Sequence, residues 1–280
     1  MRRSYDARVF VDPAPPAGHP AAIAFWDLHR GLFARGSTVW LTTDGGRSFR
    51  VVLRTHKRIT GLQAFAGRDA IVDLNRPAAL RTLDGGRSWR GFRYRYTADF
   101  ATTRVALGLR AGRFELVRGL RLTRDGGASW RPRQSPCAQA VAFSAAVELV
   151  TPRLGWVVCT GQPGAGQQAK VVFRTTNSGR TWLPMTGRLD WSGYVSGAAF
   201  ARDGFGLIWE SRGTLYVTRD GGSHWTAKTR LAMPELDFGG GGAAFAGGRG
   251  LVLLGRGGGA GRLLATADYG RTWRLVHRWP

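Results

Sequence analysis

Short apolar runs recur along the whole chain and are interrupted by glycine, aspartate and serine. Val39-Trp40-Leu41, Val51-Val52-Leu53, Val171-Val172-Phe173, Leu215-Tyr216-Val217 and Leu251-Val252-Leu253-Leu254 are of this kind. Apolar runs this short, bounded by turn residues and rich in β-branched and aromatic side chains, predict strands. None approaches the roughly 18 apolar residues of a spanning helix. The residues between the runs also repeat. Thr42-Thr-Asp44-Gly-Gly46-Arg-Ser48-Phe49 has five further copies: 82–89, 123–130, 175–182, 218–225 and 266–273. Their acidic or amide positions, Asp44, Asp84, Asp125, Asn177, Asp220 and Asp268, are 40, 41, 52, 43 and 48 residues apart. The closing aromatics are Phe49, Trp89, Trp130, Trp182, Trp225 and Trp273.

Each copy follows one apolar run and opens another, so each predicts a β-hairpin. The carboxylate can accept backbone N–H groups across the turn, and the glycine two positions later suits a positive φ. The aromatic offers a large surface to a neighbouring sheet. A looser pattern precedes each hairpin: a small-residue strand ending in Phe25, Phe65, Phe200 or Phe245, then a second apolar strand. Four strands, A to D, in periods of this length predict a β-propeller blade. The expectation is an all-β, six-bladed propeller with four-stranded antiparallel blades. Its blades cover about 21–56, 57–96, 97–134, 135–189, 190–231 and 232–280, and too few residues remain for a seventh. Residues 1–20 form an extension in which 8–11 could add an edge strand as a latch.

The pattern Ser/Thr-x-Asp-x-Gly-x-Ser/Thr-Trp/Phe resembles the Asp-box, or BNR, repeat over about residues 21 to 280. Among Asp-box families the chain most resembles the photosystem II stability/assembly factor-like repeat proteins, whose Gly-Trp strand Gly155-Trp156-Val157-Val158 also looks like. It is more distantly similar to sialidase and sortilin-type propellers. The resemblance implies that the boxes lie on the C–D turns, opposite the usual ligand face, and are structural. Asn177-Ser178 and His224 depart from the pattern, which implies looser turns there.

Composition changes the picture in two ways. There are 41 Lys plus Arg against 18 Asp plus Glu, a formal net charge of +23, and only Lys57, Lys170 and Lys228 are lysine. That balance favours an anionic partner. The arginines are spread from Arg2 to Arg278 together with abundant Ala, Gly and Pro, as GC-rich coding would produce, which weakens a dedicated nucleic-acid surface. The only cysteines, Cys137 and Cys159, fall in one blade and read as a disulfide or as two buried thiols. No metal-ligand spacing is present, and no cofactor motif is expected. The glycine-rich stretches 161–166 and 255–261 lack Gly-Lys-Ser/Thr and read as loops. The cationic N-terminus has no apolar stretch behind it, so as written the chain reads as cytoplasmic. A truncated start together with a Cys137–Cys159 bridge would instead mean export.

Every predicted B–C loop carries a cation: Arg35, Arg76, Arg118, Lys170, Arg212, and Arg256 with Arg262. Together they predict a basic rim for an anionic partner, with Tyr94, Tyr96, Phe100, Trp191 and Tyr194 as stacking surface beside the D–A loops. The expected function is a non-catalytic, assembly-factor-like binding module, a monomer engaging an acidic protein segment or another polyanion. The alternative is a carbohydrate-binding or sialidase-like glycoside hydrolase propeller. Nucleic acid rests on charge alone. For catalysis only Glu115, Glu148, Glu210 and Glu235 are glutamates, and Asp73, Asp99, Asp190 and Asp237 fall near strand ends. Tyr194 with Glu210 is the one nucleophile pair worth naming. Arg58-Ile59-Thr60 only approaches the sialidase Arg-Ile-Pro motif.

Overall fold

The computed structural model describes residues 4–6, 10–12, 22–27, 29–65, 67–74, 77–94, 96–111, 117–137, 143–211, 214–229, 240–255 and 261–279. The fold is a six-bladed β-propeller of four-stranded antiparallel blades. Two short strands come first, β1 (Ser4–Asp6) and β2 (Phe10–Asp12). Blade one is β3 (Ala22–Phe25), β4 (Gly31–Arg35), β5 (Thr38–Thr42) and β6 (Phe49–Arg54). Blade two is β7 (Gly61–Ala64), β8 (Ala70–Asp73), β9 (Ala78–Thr82) and β10 (Ser88–Arg93). Blade three is β11 (Thr97–Phe100), β12 (Ala106–Ala111), β13 (Val117–Thr123) and β14 (Arg131–Arg133). Blade four is β15 (Ser144–Glu148), β16 (Gly155–Thr160), β17 (Lys170–Thr175) and β18 (Leu183–Pro184). Blade five is β19 (Val195–Phe200), β20 (Gly206–Glu210), β21 (Thr214–Thr218) and β22 (Thr226–Thr229). Blade six is β23 (Gly240–Ala246), β24 (Arg249–Gly255), β25 (Gly261–Thr266) and β26 (Arg274–Trp279).

The strands group into two compact units. The first holds blades six, one and two, and the second holds blades three, four and five. In the first unit Ile23, Phe33 and Phe49 of blade one pack against Leu251, Leu253, Leu263 and Trp279 of blade six. On its other face, blade one buries Leu32, Val39 and Val52 against Val72, Leu80 and Trp89 of blade two. The Trp89 indole N–H also donates to the Val52 carbonyl, at 3.2 Å. Burying such a side chain contributes about 1.5–3 kcal/mol. In the second unit Trp156 of blade four stacks on Phe200 of blade five with ring centroids 4.6 Å apart. Its N–H reaches the Gly221 carbonyl at 2.9 Å. The N-terminal segment contributes two edge strands rather than one: β2 pairs with β6, and β1 with β10. Each covers a D-strand edge that would otherwise be open.

The six repeat turns share one hydrogen-bond scheme. In blade one Thr42 Oγ1 donates to Asp44 Oδ1 at 2.9 Å and accepts from the Gly46 N–H at 2.8 Å. The N–H groups of Arg47 and Ser48 donate to Asp44 Oδ1, both at 2.9 Å, and Ser48 Oγ donates to Oδ2 at 2.5 Å. The two departing copies keep the scheme and are not looser. Asn177 Oδ1 accepts the Thr181 N–H at 2.9 Å, while its amide donates to Thr181 Oγ1 at 2.8 Å. His224 Nδ1 replaces the hydroxyl at 2.6 Å from Asp220 Oδ2. The middle turn residue lies in the left-handed region. It is glycine in four copies, but Ser178 (φ 62°) and Tyr269 (φ 59°) in the other two, where a side chain must bear that backbone.

These bonds favour the ionised carboxylate. At Asp44 and Asp220 partial burial opposes ionisation, but the bonds from Ser48 and His224 prevail and hold the pKa at about 2. At Asp125 and Asp268 the Ser129 and Thr272 hydroxyls lead, with the same result. Folded values below the ordinary 3.8 mean that this stabilisation is complete above about pH 4 and is lost as pH falls towards 2. The urea midpoint should therefore fall steeply below pH 4. Asp125→Asn should blunt that fall, and an unchanged acid limb in this variant would contradict the assignment.

A second recurring contact joins strands A and B. Phe25, Phe200 and Phe245 lie across from Gly31, Gly206 and Gly250, whose missing Cβ would stand 2.4 Å from the aromatic ring. The ring fills the space that the glycine leaves. Gly206→Ala should destabilise the protein by about 1–3 kcal/mol through overpacking, measured by chemical denaturation. A change below about 0.5 kcal/mol would show that the site yields without strain.

Candidate binding face on blades four and five

In each blade the strand register separates the two ends. Gly31 pairs with Thr42 at the turn end and Arg35 with Thr38 at the other; likewise Gly155 pairs with Thr175 and Thr160 with Lys170. The B–C loops and D–A connections thus lie away from the repeat turns of their own blade. At this end of blade four, loop 161–169 and connector 185–194 are joined by local bonds. The Gln168 N–H donates to the Trp191 carbonyl at 2.8 Å, and Gln168 Oε1 accepts the Val195 N–H at 3.1 Å. Tyr194 Oη accepts the Gly166 N–H at 2.9 Å. The Asp190 carboxylate accepts the Tyr216 hydroxyl and the Ser192 N–H.

Lys170 sits at the centre. Its ammonium donates to the carbonyls of Gln168 (3.1 Å), Asp190 (3.1 Å) and Ser192 (2.7 Å). These three acceptors use all its protons. Glu210, at the end of β20, brings Oε2 to 3.3 Å, and both side chains are fully buried. The contact is an ion pair rather than a well-aligned hydrogen bond, and the Thr214 hydroxyl is the other polar group acting on the carboxylate. Burial raises the Glu210 pKa, against the opposing pull of the Thr214 hydroxyl and Lys170. Gly193 (φ +68°) covers the carboxylate so closely that a Cβ would stand 2.7 Å from the Glu210 carboxyl carbon. Above this buried pair Trp191 is 63% and Tyr194 37% exposed.

Lys170 is therefore not part of an exposed basic rim: its charge is neutralised inside the fold. Arg35 is exposed at the end of β4, and Arg262 is half-buried on β25. Arg76, Arg212 and Arg256 lie outside the described residues, as does the side chain of Arg118. Of the expected stacking aromatics, Tyr94 and Phe100 are buried, and Tyr96 packs edge-on against Trp130 at 4.9 Å. The candidate acids hold structural partners. Asp73 accepts the Tyr94 hydroxyl, Asp99 accepts the Leu149 N–H, and the half-buried Glu148 is raised well above its ordinary pKa by desolvation and the nearby Asp99 charge. Glu115, Glu235 and Asp237 lie outside the described residues. Cys137 and Cys159 form a disulfide, Cα atoms 5.3 Å apart, that joins the lead into blade four to β16. Among the described residues no three His, Cys, Asp or Glu side chains are grouped to hold a metal ion, and no helix is long and apolar enough to cross a membrane.

The Lys170–Glu210 pair escaped the sequence reading, although a signal existed: a rare lysine opens the apolar run 170–173 and a rare glutamate closes 206–210. Lys170→Met would leave three carbonyls and a carboxylate buried without a counter-charge. It should cost about 3–5 kcal/mol, and adding Glu210→Gln should recover a large part. A loss under about 1 kcal/mol in the single variant would mean that the pair is not desolvated.

No protein-family model and no curated protein sequence matches the chain. Solved structures do. YCF48 bound to D1 peptide is similar at 18% identity and a TM-score of 0.50, over 97% of this chain and 84% of that one. YCF48 from Cyanidioschyzon merolae is similar at 17% and 0.51, over 96% and 88%. The GH74 xyloglucanase from Xanthomonas campestris is similar at 14% and 0.52, over 96% of this chain but only 55% of the enzyme. At such identities the likeness establishes the propeller fold.

Proposed function

We propose that the chain is a non-catalytic propeller that binds an acidic protein segment at the B–C and D–A end of its blades. The observation that carries this reading is the blade-four platform: a loop and a connector held by a buried lysine, presenting an exposed tryptophan and tyrosine to solvent. Large exposed aromatics on a rigid support are what peptide recognition uses. The net charge of +23 supplies the attraction for an acidic partner. Two solved neighbours are YCF48 structures, one of them with a bound peptide, in line with the Asp-box resemblance to assembly-factor-like proteins. Asp73, Asp99 and Asp190 each hold a structural hydrogen bond, which favours binding over glycoside hydrolysis. The Cys137–Cys159 bridge favours an oxidising compartment.

The test is fluorescence anisotropy with a panel of labelled acidic peptides. Trp191→Ala should weaken capture at least tenfold while leaving the thermal midpoint within a few degrees. Capture that survives this change removes the blade-four platform as the site. Turnover of a chromogenic xyloglucan oligomer or sialoside, abolished by Asp190→Asn, would favour the glycan reading instead.

A further inference from the structure

The opposite end of the molecule's first unit carries a concavity that the peptide reading does not use. A groove of about 410 Å³ runs between blade six and the turns of blade one. Register places Leu251, Ala265 and Arg274 abreast across β24, β25 and β26. Strand alternation puts Arg249 beside Leu251, and Val276, the extra residue where the β25–β26 register shifts, also lines the groove. The other wall is rigid. Asp27 Oδ1 accepts the N–H groups of His29 and Arg30, both at 2.8 Å, and the His29 carbonyl accepts the Gly45 N–H at 2.8 Å. Two adjacent turns are thereby locked together. They contribute His29, Asp44 and Arg47 to the lining.

The chemistry of this lining is one-sided. Its guanidiniums, Arg47, Arg249 and Arg274, form no ion pair among the described residues. Its carboxylate, Asp44, has both oxygens occupied by the bonds of its own turn. A second observation is independent of charge. Trp89 and Trp182, the closing aromatics of other copies, donate their indole N–H to carbonyls of the preceding blade. Among the described residues the buried N–H of Trp273, which lines this groove, has no acceptor, as is also the case for Trp225 in blade five. Leu251, Ala265 and Val276 add an apolar surface.

We infer that the groove between blades six and one binds a small organic anion, a carboxylate or phosphate head on a flat apolar body. Arginine forks suit either head group, and the volume lies within the range of small-molecule sites. Three arginines without an acid partner among the described residues, an apolar surface and a buried donor share this one concavity. The site lies on other blades than the aromatic platform and at the repeat-turn end, so the two stand or fall separately.

Calorimetric titration and saturation-transfer NMR with phenyl phosphate, benzoate and neutral benzyl alcohol test this directly. At least one anion should bind, with benzyl alcohol at least tenfold weaker. Arg249→Ala and Arg274→Ala should each reduce anion affinity about tenfold, the loss of one charge-assisted bond. Arg54→Ala, an exposed arginine on β6 outside the groove lining, should leave it unchanged. The inference is overturned if neither anion binds, if benzyl alcohol binds equally well, or if Arg54→Ala weakens binding as much as Arg249→Ala.

Discussion

The carboxylate-capped turn is the constraint on which the remaining structure depends. A hairpin that reverses in so few residues leaves several backbone N–H groups without ladder partners, and each must find an acceptor. One carboxylate and one threonine hydroxyl supply the acceptors, all within an eight-residue segment. With the turn set, the register of the C and D strands follows, because each side chain's face depends on it. The closing aromatic then reaches the neighbouring blade. Trp89 illustrates the sequence of effects: the Asp84 turn positions it, the blade-one core buries it, and a carbonyl on β6 accepts its N–H.

The other end of the blades is stabilised differently. There, blade four holds its loop and connector with bonds between residues far apart in sequence. Lys170 meets Asp190, Ser192 and Glu210. A buried charge pair is a weak source of net stability, but removing one partner is expensive. Such a pair therefore favours one loop arrangement over its competitors, which is what a recognition surface requires.

The excess of arginine is more than the acids can pair. With more than twice as many cations as anions, most guanidiniums cannot form ion pairs. Several lie over aromatic faces instead: Arg174 over Trp156 at 5.6 Å, Arg121 over Tyr96 at 5.8 Å and Arg81 over Phe92 at 5.9 Å. A planar, weakly hydrated cation suits that contact better than an ammonium would. Lys170 takes the opposite course, as a compact charge enclosed by carbonyl oxygens.

The repeat, its strands and the propeller were readable in the sequence because their causes are local. A Thr-x-Asp-x-Gly turn closes on itself, and apolar alternation marks the strands on either side. The same locality explains why Asn177 and His224 keep the turn geometry: each supplies a group of the right polarity at the same place. What tertiary structure alone decided is the exposure and pairing of each charged group. Lys170, expected on a basic rim, is buried because Glu210, forty residues later, meets it across two blades. Tyr94 and Tyr96, expected as stacking surface, face Asp73 and Trp130 instead. The groove of Arg47, Arg249 and Arg274 unites chain segments some two hundred residues apart. Local sequence specifies which groups a turn can satisfy, whereas burial and charge pairing depend on how sheets pack, and no eight-residue pattern encodes that.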